Sequence, residues 1–245
     1  MDSPVPYYAQ LRYILAARIR TLPPHTSLPS EQELQDLFGV SRTVVRQALL
    51  ELVHEGLVYR RKGKGSFVAP AKVTEGQIQK LTGFSDEMSR QGYRPVTVVL
   101  EQHLVEADPE LAQRLEIAPG AAVVYLKRVR MLDGEPLMLS RTWLPSDLCS
   151  GLESADLATR SLYEVLKSDH ARLVERGLRT LEAVPATKDQ ADLLKTPTGI
   201  PLMRLEVLSN EQTGSVQEYS VAFHRGDRAK FQFDVVANKP SAEMM

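Results

Sequence analysis

At 245 residues, 43% apolar and 25% charged, with a formal net charge of −1, the chain has the profile of an ordinary globular protein with room for two modest hydrophobic cores. No apolar run approaches the length of a membrane span, and the start lacks the charged-then-apolar layout of a signal peptide, so a cytoplasmic protein with no membrane partner is expected. A single cysteine, Cys149, excludes an internal disulfide framework, and His25, His54, His103, His170 and His224 lack zinc-ligand spacing, so neither a metal nor another cofactor is expected.

The chain opens with a predicted helix over Pro6 to Leu22. Tyr8, Leu11, Ile14, Leu15, Arg18, Ile19 and Leu22 recur at helical spacing, and Pro23 and Pro24 end it. In Leu28-Pro29-Ser30-Glu31-Gln32-Glu33, Ser30 has the position of an N-cap and Glu33 completes a capping box. The apolar positions Leu34, Leu37 and Phe38 of that short helix fall on one face, and Gly39 stops it. Ser41 caps the next helix, whose inner stripe is Val44, Val45, Ala48, Leu49 and Leu52, leaving Arg42, Thr43, Arg46 and Gln47 outward near its start. Two helices about a glycine turn, the second led by exposed cations, form the pattern of a helix-turn-helix. Gly56 then ends the helix, and Leu57 to Val68 reads as a hairpin whose tip carries Arg60, Arg61, Lys62 and Lys64 among Gly63 and Gly65. That hairpin is a wing. The near-neutral chain therefore concentrates basic charge in one local patch, which suits a DNA binder that must also leave its site.

These residues resemble the N-terminal winged helix of the GntR superfamily of bacterial regulators. The matching stretches are Leu28-Pro29-Ser30-Glu31, then Val40 to Leu49, then Glu55-Gly56-Leu57, and the wing Gly63-Lys64-Gly65-Ser66-Phe67-Val68. Val44 stands where relatives usually have threonine, and Ser66 replaces threonine conservatively. The resemblance implies a double-stranded operator as partner. The DNA-facing set is Ser30, Glu31, Ser41, Arg42, Thr43, Arg46, Arg60, Lys62, Gly63, Lys64 and Gly65.

Residues 1–69 form this first domain; Ala69-Pro70-Ala71-Lys72 breaks the hairpin, and residues 70–76, with little apolar content, read as a linker. Residues 77–245 form a second domain. Phe84 to Gln91 is a predicted helix, Pro95 to Val105 a strand, and Asp108-Pro109 the start of a helix through Leu115. Ala121 to Leu132 and Leu137 to Leu144 form a hairpin through Asp133-Gly134. Ser161 with Glu164, and Thr187 with Gln190, are capping boxes opening further helices. Strands near Leu173 to Val184, Leu202 to Ser209, Val216 to His224 and Phe231 to Val236 complete an α+β domain on an antiparallel sheet.

Period-two alternation along Ala121 to Leu132 sets Val124, Leu126, Arg128, Arg130 and Leu132 on one face. Two guanidinium groups beside core-like residues require anions, either internal acids such as Glu182, Glu206 or Glu218, or a bound carboxylate or phosphate.

The segment from about Leu81 to Asp234 resembles the effector-binding UTRA domain of the HutC-like subfamily, which has a chorismate-lyase-like fold. The marks are Lys127-Arg128-Val129-Arg130, Asp133-Gly134-Glu135-Pro136, Pro145, Ser161-Leu162-Tyr163, and Glu218 with Arg225-Gly226-Asp227-Arg228. By that resemblance Arg128, Arg130, Ser161, Tyr163 and Glu218 line an effector cavity, and the expected effector-binding set adds Phe84, Ser85, Ser140 and His224. Relatives that bind amino-sugar phosphates tend to carry an acid at the position of Ser140 and a tyrosine at that of His224. The implied effector is therefore given only as a small anion, of the sugar phosphate or organic carboxylate class.

The expected protein is a ligand-responsive bacterial transcription regulator, a repressor, that binds operator DNA as a homodimer. The alternative is a DNA-anchored enzyme with a lyase-like second domain. Nothing in the sequence assembles a nucleophile and base, since Cys149 has no obvious histidine neighbour and His224 no evident partner; no catalytic residue is named, and the chain is not expected to be an enzyme.

Overall fold

Ser30 and Glu33 close a capping box at the start of one short helix, and Gly39 at φ 63° ends it in the left-handed conformation that only glycine adopts without strain. The computed structural model describes residues 4–61, 63–75, 84–174, 176–210 and 215–233. The chain divides into two compact units, Met1–Val73 with Gly226–Ala229, and Thr74–Arg225 with Lys230–Met245.

In the first unit, α1 (Tyr7–Ile19) buries Leu11, Leu15, Ala16 and Ile19 and stops short of the expected Leu22, with Arg20 as its C-cap. Next come α2 (Glu31–Phe38) and α3 (Arg42–His54), the latter capped by Ser41 accepting from Val44 N–H at 3.4 Å. Val45, Ala48, Leu49 and Leu52 of α3 are almost wholly buried against Leu11, Leu15, Leu34 and Val58. Each such leucine contributes about 1.5–3 kcal/mol on burial, so this short core carries the unit. The wing strands β1 (Val58–Arg61) and β2 (Gly65–Val68) pair antiparallel with Tyr59 opposite Phe67. Gly56 has φ +71°, and a Cβ there would meet the Asp227 carbonyl oxygen at 2.6 Å, so it serves a close approach as well as a turn.

Where a linker was expected, Val73–Glu75 forms β3, and the Val73 N–H donates to the Arg228 carbonyl at 2.7 Å. The remaining elements are α4 (Phe84–Arg90), β4 (Pro95–Glu106), α5 (Pro109–Leu115), β5 (Ala122–Leu132), β6 (Glu135–Pro145), α6 (Leu162–His170), β7 (Arg176–Pro185), α7 (Lys188–Leu194), β8 (Pro201–Asn210), β9 (Val216–Arg225) and β10 (Ala229–Phe231), the last paired with β3. Of the strand expected over Phe231 to Val236 only Phe231 is in a strand, the end of β10; Gln232 and Phe233 have no regular structure, and residues 234–236 lie outside those described.

The second unit is built on an antiparallel sheet of order β4-β5-β6-β9-β8-β7. Asp133 and Gly134 turn β5 into β6 with φ 49° and 84°, as a two-residue hairpin with the sheet's own twist demands. One sheet face meets α5 and α7 in a core of Val123, Val129, Leu139, Val221 and Phe223 with Leu115 and Leu194. The other face meets α6 and two short 3-10 turns, where Val124, Leu126 and Leu144 pack on Leu152, Leu162, Val165 and Leu166. With both faces covered, β5 reads as an almost continuous buried run. The polar residues left on the α6-facing side of that sheet are therefore conspicuous.

Candidate functional site

The first candidate surface lies on the first unit. Arg42, Thr43 and Arg46 sit exposed on the first turns of α3, and Lys64 is exposed at the wing tip, while Lys62 lies outside the described residues. Glu31 bridges the two elements, with Arg42 Nε at 3.3 Å and Arg60 Nη2 at 3.5 Å from its carboxylate. Its role in this structure is to hold two cations of the expected set. Ser30 and Ser41 spend their hydroxyls on helix caps. Gly63 and Gly65 have φ +72° and +102°, and a Cβ added at either would meet nothing within 4 Å, so they shape the turn and leave its tip bare. Arg61, by contrast, lies over the stacked Tyr59 and Phe67 rings at 5.4 and 5.6 Å.

The second candidate lies inside the second unit. Cross-strand register puts Thr97, Arg130, Met138 and His224 in one row, and Val99, Arg128, Ser140 and Ala222 in the next. Arg128 is 3% exposed and Arg130 7%. Arg130 Nη1 donates to Thr97 Oγ1 at 2.7 Å, and its guanidinium lies 5.5 Å from the Phe84 ring centroid. Arg128 Nε and Nη1, Arg130 Nε and Ser140 Oγ find no hydrogen-bond partner among the described residues. Burial pushes Arg128 down to about 10, and burial followed by the like charge of Arg128 holds Arg130 well below the usual arginine range.

Glu218 shares this sheet face. It accepts from the Tyr163 hydroxyl of α6 at 2.8 Å, and burial raises its carboxyl above the usual range despite the opposing effects of Tyr163 and Arg128. Burial raises the Tyr163 phenol as well, so the hydroxyl stays a donor. His224 is buried, with its ring edge-on to Phe231 at 5.0 Å.

Of the internal acids weighed as partners for the arginines, Glu182 and Glu206 are engaged elsewhere. Arg204 donates to Glu182 at 2.7 Å, and Arg114 and Arg204 both pair with Glu206, on the opposite face. Among the described residues only Glu218 faces Arg128 and Arg130, so one carboxylate stands against two buried cations.

Ser161 is the N-cap of α6, but the expected capping box is not closed: its side chain makes no cap hydrogen bond. Glu164 is drawn instead toward Arg160, 3.7 Å away. Ser85 is half-buried beside Phe84 on α4 and shows no hydrogen bond to the arginine group among the described residues. Three members of the polar face were missed in the sequence. Thr97 interrupts a run of valines and is 9% exposed, a signal that could have been read; Thr142 is 1% exposed; and Arg179 of β7 acts electrostatically on both Glu218 and Tyr163.

Cys149 is buried, its Sγ 3.2 Å from the Pro145 carbonyl, and burial pushes its thiol up to about 12. Such a thiol is no nucleophile at neutral pH. Among the described residues, no group of three or more His, Cys, Asp or Glu side chains could hold a metal ion, and no helix is long and apolar enough to cross a membrane.

Residues 7–68 match the family described as bacterial regulatory proteins, gntR family, and residues 90–230 match the UTRA domain. The chain is 32% identical over 232 residues to the HTH-type transcriptional repressor NagR of Bacillus subtilis, covering 94% of this chain and 95% of that one. It is 31% identical over 207 residues to the probable fructoselysine utilization operon transcriptional repressor of Escherichia coli, covering 84% of each. Among solved structures, PhnF from Mycobacterium smegmatis aligns with a TM-score of 0.67 at 28% identity, over 93% of this chain and 100% of that one.

Proposed function

The chain belongs to the gntR family of bacterial regulatory proteins and carries a UTRA domain, and from that premise we propose that it represses transcription by binding an operator as a homodimer and responding to a small anionic metabolite. Its relatives are named as transcription regulators rather than enzymes, and it is a regulator of that kind. Arg42, Thr43 and Arg46 enter the major groove from α3, while Arg60, Lys62 and Lys64 of the wing meet phosphates. The anion occupies the space among Arg128, Arg130 and Ser140.

The observation that carries the effector reading is the unpaired N–H groups of Arg128 and Arg130, buried together against a single carboxylate. Buried guanidinium N–H groups left without acceptors destabilise a fold, and an anion with oxygens in a forked geometry removes that cost. Ser140 and His224 change the polar rim relative to the amino-sugar phosphate binders, so the ligand is proposed by charge and not by sugar.

Thermal melts with sodium sulfate and with a panel of phosphorylated sugars and carboxylates test this. The parent should gain stability with anion, as any ligand that binds only the native state requires. Arg128→Met should lose about one to two decades of anion affinity, the equivalent of a charge-assisted hydrogen bond worth about 1.5–3 kcal/mol. Its ligand-free melting temperature should be unchanged or higher, because apolar replacement of an uncompensated buried charge relieves desolvation. A large drop in the ligand-free melt with an undiminished anion shift means Arg128 is a structural ion-pair member, and the pocket assignment is lost.

A further inference from the structure

The two edges of the six-stranded sheet are finished differently. β7 carries Arg176, Arg179 and Glu182 along its length, the charged edge that discourages pairing with another chain. β4 is longer, and from Pro95 to Leu104 its only Asp, Glu, Lys or Arg is Glu101, which Lys127 already holds at 2.7 Å. Along it, Val96 is 52% exposed, Val98 39%, Leu100 38% and Leu104 50%. Val96 and Val98 lie on the face of Met131 and Val129, whereas Leu104 lies on the face of Val124, so each side of the edge presents exposed apolar side chains. Among the described residues β4 pairs with β5 alone. An edge of this length, apolar on both faces, is a template for another strand.

We propose that β4 is the seam of the homodimer, pairing antiparallel with β4 of a second copy of this chain. The inference rests on the dimer advanced above and adds the surface that makes it. A strand paired with its own copy about a two-fold axis closes the assembly, whereas β4 laid on β7 of another copy repeats head to tail without closure. Charge agrees with closure. From Pro95 to Leu104, two β4 strands bring together side chains that are neutral or, at Glu101, already neutralised, with Glu106 left at the end of the strand, while a β4–β7 pairing buries Arg176 and Glu182 against valine. The seam also extends an aromatic ladder that crosses the sheet through His103, Tyr125, Trp143 and Tyr219, with centroids 5.6, 5.3 and 5.5 Å apart in turn. His103 ends that ladder on β4, at the edge of the sheet. The ten residues from Pro95 to Leu104, at about 3.4 Å each, give a seam of about 34 Å.

Sedimentation equilibrium on the full chain tests it, with Val98→Lys on β4 and Leu178→Lys on β7 as a control, since Leu178 is 70% exposed. The parent should be a dimer; Val98→Lys should weaken dimerisation by about tenfold or more with its circular dichroism unchanged, and Leu178→Lys should leave it alone. Hydrogen exchange of the parent across its dissociation range needs no variant: dilution should deprotect the amides of residues 95–106 and spare those of residues 176–185. A parent that is monomeric at every concentration overturns the dimer itself. A parent dimer that Val98→Lys leaves intact, or whose dilution deprotects another surface, overturns the seam alone. Masses beyond the dimer, weakened by Leu178→Lys, replace it with head-to-tail pairing.

Discussion

Glu218 is the one acid among the described residues that faces Arg128 and Arg130, and in the proposed effector site its protonation state would set the net charge that an incoming anion meets. Burial raises its pKa, so the native state holds this proton more tightly than the unfolded chain does. Its contribution to stability is fully present below the ordinary carboxylate range and is lost as pH rises through the raised native value. Anion affinity follows the same sign, because protonation removes the negative charge from beside the cations. Sulfate, dianionic throughout, should therefore bind more tightly as pH falls from neutral toward the raised range of Glu218, and calorimetric titrations at several pH values measure the slope. Glu218→Gln should bind as the protonated parent does, with the slope flattened. His224 shares the sheet face, so a slope that survives in Glu218→Gln assigns the effect elsewhere.

At the scale of elements, two residues of α3 separate support from recognition. Ser41 accepts from Val44 N–H, and Arg46 is exposed on the outer face of the same helix. Ser41→Ala should cost about 1 kcal/mol of stability through the lost cap, read as a lower melting temperature. Arg46→Ala should leave the melt unchanged and cost about 1–3 kcal/mol on operator if it reads a guanine, measured by binding at matched salt. Equal operator affinity for Arg46→Ala and the parent shows a solvated residue. The winged helix was legible because caps, a glycine turn and a basic hairpin are local signals, each within a few residues of the next. So was the strand bearing Arg128 and Arg130, because alternation reports its faces. What sequence could not show was partnership across the sheet. Thr97 meets Arg130 from another strand, Arg179 reaches Glu218 from the far edge, and Glu182 and Glu206 are claimed by Arg204 and Arg114 on the opposite face. β3 was hidden for the same reason, since a short polar segment becomes a strand only when Arg228 supplies its carbonyl partner.

For the whole molecule, the formal net charge of −1 leaves DNA affinity, in the proposed reading, to the local basic set on α3 and the wing. One such head makes few phosphate contacts, so a single half-site should be held weakly and with a shallow salt dependence. In the proposed homodimer two heads would add their contacts on an inverted repeat whose half-sites lie about 34 Å, one helical turn, or a multiple apart. Effector control then requires that the anion bind one arrangement of the dimer better than another, since a ligand with equal affinity for both shifts nothing. In the proposed dimer, only a pair of half-sites would read that arrangement. Anion should accordingly change affinity for the full inverted repeat and leave affinity for an isolated half-site unaltered, as fluorescence anisotropy at fixed ionic strength can measure. Arg128→Met, which keeps the recognition surface, should bind the full repeat like the parent without anion and fail to respond when it is added. If anion alters the half-site and the full repeat by the same factor, the response belongs to each head separately, and the dimer only adds affinity.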